Sequence, residues 1–381
     1  MTGVPRRTLL AAFAGLPVMA CTSSTVASTT SPSPLATSAT PSASMSAAAS
    51  SPVASSAARP TQPELVAGGL AVPWDLAFLP DGSALVSLRD SGDVVLVRPG
   101  TPAKTVGRVP GVVSGGEGGL LGLALSPTFA TDGAVYAYHT ASGDNRIVRL
   151  TYAGGRLSGG DVVLRGIPKS QTHNGGRIRF GPDGMLYAGT GDAGSGSNSQ
   201  NRTSLAGKIL RMHRDGSVPP DNPFGSLVWT YGHRNVQGLG WDATGRMFAS
   251  EFGQNTYDEL NLIRPGGNYG WPTVEGPGDG GGRFVAPLKV WPTAEASPSG
   301  IAVTAAGVVY IAGLRGQRLW RVEVGADGKV GSATALYQGA YGRLRAVAIG
   351  PDRRLWILTS NRFRGTPTPD DDRVVILPDA V

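Results

Sequence analysis

FGPDGMLYAGT, residues 180–190, runs from an apolar approach through a proline–aspartate–glycine turn into a short apolar strand. Proline presets the first turn residue, aspartate bonds back to its own backbone, and glycine accepts the positive φ that a tight hairpin needs. Five more stretches follow the same plan: FLPDGSALVSL (78–88), FATDGAVYAYH (129–139), WDATGRMFASE (241–251), VTAAGVVYIAG (303–313) and IGPDRRLWILT (349–359). Their turns are anchored at Gly82, Gly133, Gly184, Gly245, Gly307 and Arg353, in steps of 46 to 62 residues. A unit of that length with one hairpin signal suits a four-stranded blade. Six such units predict an all-β chain folded as a six-bladed β-propeller over 62–381, since a sandwich of about 100 residues has no room for them. Helices are expected only in loops.

Composition agrees. The 381 residues include 56 Gly and 29 Pro, which argues against a mostly helical chain. The formal charge of +7 comes from scattered residues rather than basic runs, so no nucleic-acid partner is expected. One cysteine, Cys21, excludes an internal disulfide. It ends the stretch MTGVPRRTLLAAFAGLPVMAC (1–21), in which a basic pair precedes an apolar segment too short to span a bilayer. The ending Val18–Met19–Ala20–Cys21 resembles a bacterial lipobox, an export signal whose cysteine receives lipid; an ordinary signal peptide is the alternative. Arg6 and Arg7 also resemble a twin-arginine signal. Residues 22–61 are almost wholly Ser, Thr, Ala and Pro. They predict a disordered linker with a root-mean-square reach of roughly 35 Å. The expectation is a protein on the extracytoplasmic face of the cell membrane, anchored by lipid at Cys21.

Polar residues gather where propeller loops converge on the channel. GTGDAG (189–194) has the glycine spacing of a dinucleotide loop, but no helix follows it. His173 in QTHNGGRIRF and Asp192 after the next strand flank one hairpin, and a carboxylate beside a histidine supports proton abstraction. A structural histidine with an unrelated turn aspartate is the other reading. YGHRNVQGLGWD (231–242) and SEFGQNTYDELNLIRPGGNYGW (250–271) are rich in glycines, amides and carboxylates, an oxygen supply suited to calcium. Arg315, with Arg343 and Arg345 two apart on a strand, offers cations for an anionic ligand or an ordinary charged surface.

At these residues the sequence resembles the glucose/sorbosone dehydrogenases, the family of soluble glucose dehydrogenase and aldose sugar dehydrogenase. The likeness runs through PWDLAFLPDG (73–82), EGGLLGLALSPTF (117–129), HNGGRIRFGPDG (173–184), GKILRMHRDGSVPPDNPF (207–224), GHRNVQGL (232–239) and DELNLIRPGGNYGWP (258–272). It implies a six-bladed propeller that oxidises an aldose at C1 with pyrroloquinoline quinone (PQQ) and calcium, passing electrons to an acceptor in the cell envelope. It further implies His173 as the base, Asp192 as its support and Arg234 as the cation beside the quinone. Asn235, Arg315, Arg343 and Arg345 are implied as further cofactor contacts. The carbonyls of Gly253 and Gln254 correspond to the catalytic calcium ligands, and Glu259 with the Tyr269 carbonyl to a second calcium site.

Four positions depart from the family pattern. Glu117 stands where a glutamine contacts the quinone, and a carboxylate there repels an anion unless it is protonated or paired. Phe252 replaces a His or Gln, Arg315 replaces a lysine, and Thr172 stands in place of an aspartate. A propeller lipoprotein kept as a binding module is the alternative function, and a calcium-dependent propeller hydrolase a third.

Overall fold

The computed structural model describes residues 61–381; the signal stretch, the lipobox cysteine Cys21 and the linker up to residue 60 lie outside the described residues. The described chain forms six four-stranded antiparallel sheets. In chain order the blades are 73–108, 120–167, 178–231, 236–292 and 298–336, and the sixth runs from 344 to the end. Two one-turn helices, Phe129–Asp132 and Ser197–Gln200, sit in loops.

The six repeat anchors occupy one structural position, the turn between the first and second strands of each blade. Five are glycines with φ between 57° and 86°, and Arg353 adopts φ 60° in the sixth. The aspartate before the anchor does what its chemistry predicts. Asp81, Asp132, Asp183 and Asp352 each accept the backbone N–H two residues on, at 2.9–3.1 Å.

The first strand of each blade touches the first strand of the next, around to 344–349 against 73–78, so the sheets close into a ring. Each seam holds its own apolar core. Leu85 and Val94 pack with Leu120 and Val135 between the first two blades, and Phe248 with Ile301 and Val309 between the fourth and fifth. Closure uses both ends of the domain. Strand Glu64–Ala67 is the outer strand of the sixth blade, with Glu64 opposite Ile376 and Leu65 opposite Val375. Among the described residues no helix is long and apolar enough to cross a membrane.

The channel is plugged by a polar network drawn from the innermost strands. Asp75 of the first blade is fully buried and takes a two-pronged contact from Arg179 of the third, at 2.8 and 2.9 Å. Arg177, just before the same strand, pairs with Asp75 and donates to the Gln237 carbonyl of the fourth blade at 2.7 Å. Ser299 of the fifth blade and Arg345 of the sixth both donate to the Gln237 side chain, at 3.0 and 2.8 Å. Burial opposes ionisation of Asp75, but the two arginines outweigh it and hold its pKa below 3.8. This plug forms the floor on which the site rests.

Candidate active site

A cavity of about 300 Å³ opens above the plug. Trp74, Glu117, His173, Arg234, Asn235, Phe252, Gly253, Gln254, Arg315, Arg343 and Arg345 line it. The propeller therefore gathers residues from blades far apart in sequence, including every predicted catalytic and cofactor residue except Asp192, which lies just behind His173.

His173 sits at φ 56°, before the first strand of the third blade, and Asp192 follows the second strand of the same hairpin. The ring Nδ1 is 2.7 Å from Asp192 Oδ1. An ionised carboxylate only accepts, so Nδ1 carries the proton and Nε2 keeps its lone pair. Nε2 receives a hydrogen bond from Arg234 Nη2 at 3.0 Å. Asp192 is fixed by Gly194 N–H at 2.7 Å and by Trp271 Nε1–H at 2.9 Å. Burial pushes its carboxyl up, yet the bonds from His173, Trp271 and Gly194 more than compensate and keep its pKa below the ordinary value. A histidine in the unprotonated form, aligned and backed by a carboxylate, is a general base.

Three of the arginines that line the cavity are only partly satisfied. The buried Nε atoms of Arg234, Arg343 and Arg345 have no hydrogen-bond partner. Arg343 and Arg345 make no ion pair among the described residues; Arg345 Nη1 spends itself on neutral groups, Gln237 at 2.8 Å and Ser299 at 3.4 Å. Burial lowers the pKa of all three, and that of Arg345 falls well below the ordinary value, with Arg89 and Arg343 adding repulsion. Arg315 reaches the cavity from the exposed side. Cations buried without anions fit a multiply carboxylated ligand such as PQQ.

The loop expected to hold calcium is shaped by a residue that sequence reasoning missed. Glu275 Oε1 gathers four successive backbone N–H groups, those of Gln254, Asn255, Thr256 and Tyr257, at 2.8–3.1 Å. Gly253 N–H goes instead to Asp258 Oδ1 at 2.9 Å. With the amides turned inward, the Gly253 and Gln254 carbonyls accept no hydrogen bond among the described residues, a donor pair that fits a hard cation. Asp258, pushed up to about 6 by burial, also lines the cavity.

Glu259 and Tyr269 lie elsewhere, around a second hollow of about 10 Å³ shared with Glu251 and Glu275. Burial, followed by repulsion from Glu251, pushes the Glu259 carboxyl up to about 8. The Tyr269 carbonyl likewise accepts no hydrogen bond. Among the described residues no three His, Cys, Asp or Glu side chains form a metal cluster by themselves. Any cation in either place must draw on carbonyls, as the resemblance implies.

Trp74, Arg89, Gln237, Phe363 and Arg364 complete the walls and were not singled out from sequence. PWD at 73–75 and RFRG at 362–365 held the signal, but nothing in either stretch says that it faces a channel. Glu117 resolves as the paired case: Oε1 takes Arg364 Nη1 at 3.0 Å, and Oε2 takes the His173 backbone N–H at 3.0 Å.

An unprotonated imidazole nitrogen backed by a carboxylate, set beside buried cations without ion pairs at a propeller mouth, defines an enzyme that works on a small molecule with an anionic helper. Comparison with known proteins gives the family: the glucose/sorbosone dehydrogenase model matches residues 70–365, and the chain belongs to that family. The PQQ-bound aldose sugar dehydrogenase of Streptomyces coelicolor superposes with a TM-score of 0.80 at 52% identity, covering 84% of this chain and 99% of that one. Quinoprotein glucose dehydrogenase B of Acinetobacter calcoaceticus is 34% identical over 261 residues, 58% of this chain and 55% of that protein. The aldose sugar dehydrogenase of Escherichia coli is 32% identical over 226 residues, 55% of this chain and 61% of that protein.

Proposed function

We propose that this protein oxidises an aldose at C1 with PQQ and calcium, at the outer face of the cell membrane, and passes the electrons to an acceptor in the envelope. The observation that carries the reading is the His173–Asp192 pair, whose unprotonated Nε2 faces a cavity also lined by Arg343 and Arg345, which make no ion pair among the described residues. PQQ supplies a two-electron acceptor when bound, and calcium a Lewis acid. Arg343, Arg345 and Arg315 would hold the carboxylates of the cofactor. The Gly253 and Gln254 carbonyls would hold the catalytic calcium, and Glu259 with the Tyr269 carbonyl a structural one.

The protein's own part in the chemistry is proton management. His173 Nε2 takes the proton of the C1 hydroxyl once that hydroxyl displaces Arg234 Nη2 from it, and the imidazolium that forms lies against the Asp192 carboxylate, which stays ionised at neutral pH. Arg234 is held against His173 by its bond to Nε2 and by a bond to the Phe252 carbonyl at 3.2 Å, so it brings positive charge to where negative charge develops. Phe252 and Trp74 supply apolar wall that limits water. A propeller kept only for binding has no need of a histidine locked in one tautomer.

The test is to incubate the 62–381 domain with PQQ and calcium, then assay dye reduction with a panel of aldoses. Turnover that His173→Ala abolishes while PQQ still binds is the expected result. Failure to bind micromolar PQQ overturns the reading. The membrane location rests on the lipobox-like ending at Cys21. Cys21→Ser should release the full-length protein from membranes, and continued attachment removes that part of the proposal.

A further inference from the structure

We propose that Arg364 is a cofactor-affinity residue, present to cancel the charge of Glu117 so that an anionic ligand can enter a cavity whose base is positioned by that same carboxylate. The inference rests on the PQQ reading above. Glu117 bridges two things the site needs: Oε2 holds the His173 backbone N–H, and Oε1 faces the Arg364 guanidinium. Both ends of the bridge are non-glycine residues in the left-handed region, His173 at φ 56° and Arg364 at φ 62°. That conformation is unfavourable for either side chain and persists where surrounding contacts impose it.

The Arg364 guanidinium also lies 4.9 Å from the Phe363 ring centroid, with Arg89 at 3.8 Å from the same ring, and all three residues line the cavity. Glu117 lines the same cavity as Arg234 and Arg345, the cations expected to hold the ligand. Arg364 is more than half exposed, and an exposed ion pair adds little to folding stability. What it changes is the potential inside the cavity. A glutamine at 117 would hold the His173 N–H without a charge; the glutamate does the same work but needs a counter-ion.

Titration of PQQ against tryptophan fluorescence, with calcium present, separates the possibilities, because Trp74 lines the cavity. Arg364→Ala should weaken PQQ binding by about tenfold, as expected for one charge partly screened by solvent in a half-open site. Glu117→Gln alone should tighten it. The double variant Arg364→Ala/Glu117→Gln should return to within about threefold of the wild type, because the two changes cancel in charge. Arg364→Lys, which keeps the charge, should stay close to the wild type.

If the double variant remains as weak as Arg364→Ala, Arg364 acts by holding its loop and the proposal falls. If Arg364→Ala binds within twofold of a wild type that does bind PQQ, the proposal falls while the function above stands. A wild type that binds no PQQ overturns both. Thermal melts of each apo variant should stay within a few degrees of the wild type, and a collapse with Arg364→Ala would also count against a purely electrostatic role.

Discussion

Replacing Asp192 by asparagine changes almost no volume but removes one acceptor from a group that serves three donors. Oδ1 accepts from His173 Nδ1–H and Gly194 N–H, both at 2.7 Å, and Oδ2 accepts from Trp271 Nε1–H at 2.9 Å. An amide has one oxygen. If its NH2 faces His173 and Gly194, two donor pairs collide: one at Gly194, and one at His173 Nδ1–H or, if that proton moves to Nε2, at Arg234. If its NH2 faces Trp271, only one pair collides and the tautomer survives, so this orientation wins. The cost to folding is one buried, unsatisfied donor pair, about 1–3 kcal/mol.

The catalytic cost in that orientation comes from the lost negative charge beside the imidazolium. Exchanging a charge-assisted hydrogen bond for a neutral one gives away about 1–2 kcal/mol. The Coulomb limit for unit charges about 4 Å apart at an effective dielectric of 20 is about 4 kcal/mol. Dye-reduction kcat at saturating aldose, PQQ and calcium should therefore fall by about tenfold to a thousandfold. PQQ affinity, measured in parallel by tryptophan fluorescence, should change by less than about threefold, because Asp192 is not among the residues that line the cavity. A holo-variant with kcat within a factor of about three of the wild type would refute Asp192 as the support of the base.

Three further predictions concern stability. Asp75→Asn strips the buried counter-charge from Arg177 and Arg179 and should cost about 3–5 kcal/mol in denaturant unfolding. Since the folded pKa of Asp75 lies below 3.8, its contribution is complete above that value and is lost as pH falls through the lower folded value; the variant should flatten the acid limb of the stability curve. Lys208→Met removes an ammonium that donates to the carbonyls of Asn198, Ser199 and Ala206 at 2.6–3.0 Å, and calorimetry should show a loss of about 2–4 kcal/mol. Calcium at a hundred times its dissociation constant should add about 2.7 kcal/mol for each site it fills in the folded protein. Chelation should reverse that gain, and Glu259→Gln should abolish the share due to the second hollow.

The repeat was legible because each inner hairpin carries its own local chemistry. Asp183 and Gly184 make their turn whatever the rest of the chain does, and the same holds in the other blades. Strand Glu64–Ala67 left no such mark, since its place beside Val374–Ile376 depends on the ring having closed first. The site divides in the same way. His173 and Asp192 belong to one hairpin and could be paired on paper. Glu275 acts on amides about twenty residues upstream, and Arg364 on a carboxylate 247 residues away, so neither relation exists until the propeller forms. The charge at Glu117 stood out in the sequence as an obstacle, while its remedy, Arg364, lay in a stretch with no motif.

Two arginine pairs show how sharply position overrides pattern. RIR at 177–179 and RLR at 343–345 have the same spacing, and both enter the first strand of a blade, the third and the sixth. Arg177 and Arg179 share one buried counter-charge, Asp75. Arg345 is buried as Arg177 is, yet its side-chain hydrogen bonds go to an amide and a hydroxyl, and neither it nor Arg343 meets a carboxylate within ion-pair range among the described residues. Burying a cation without an anion lowers stability and brings no gain in packing that leucine or methionine would not give. The first pair is therefore a structural plug built around its own buried carboxylate. The second becomes electrostatically complete only when something anionic enters, and that asymmetry, more than the presence of arginines, assigns the upper end of the channel to ligand binding.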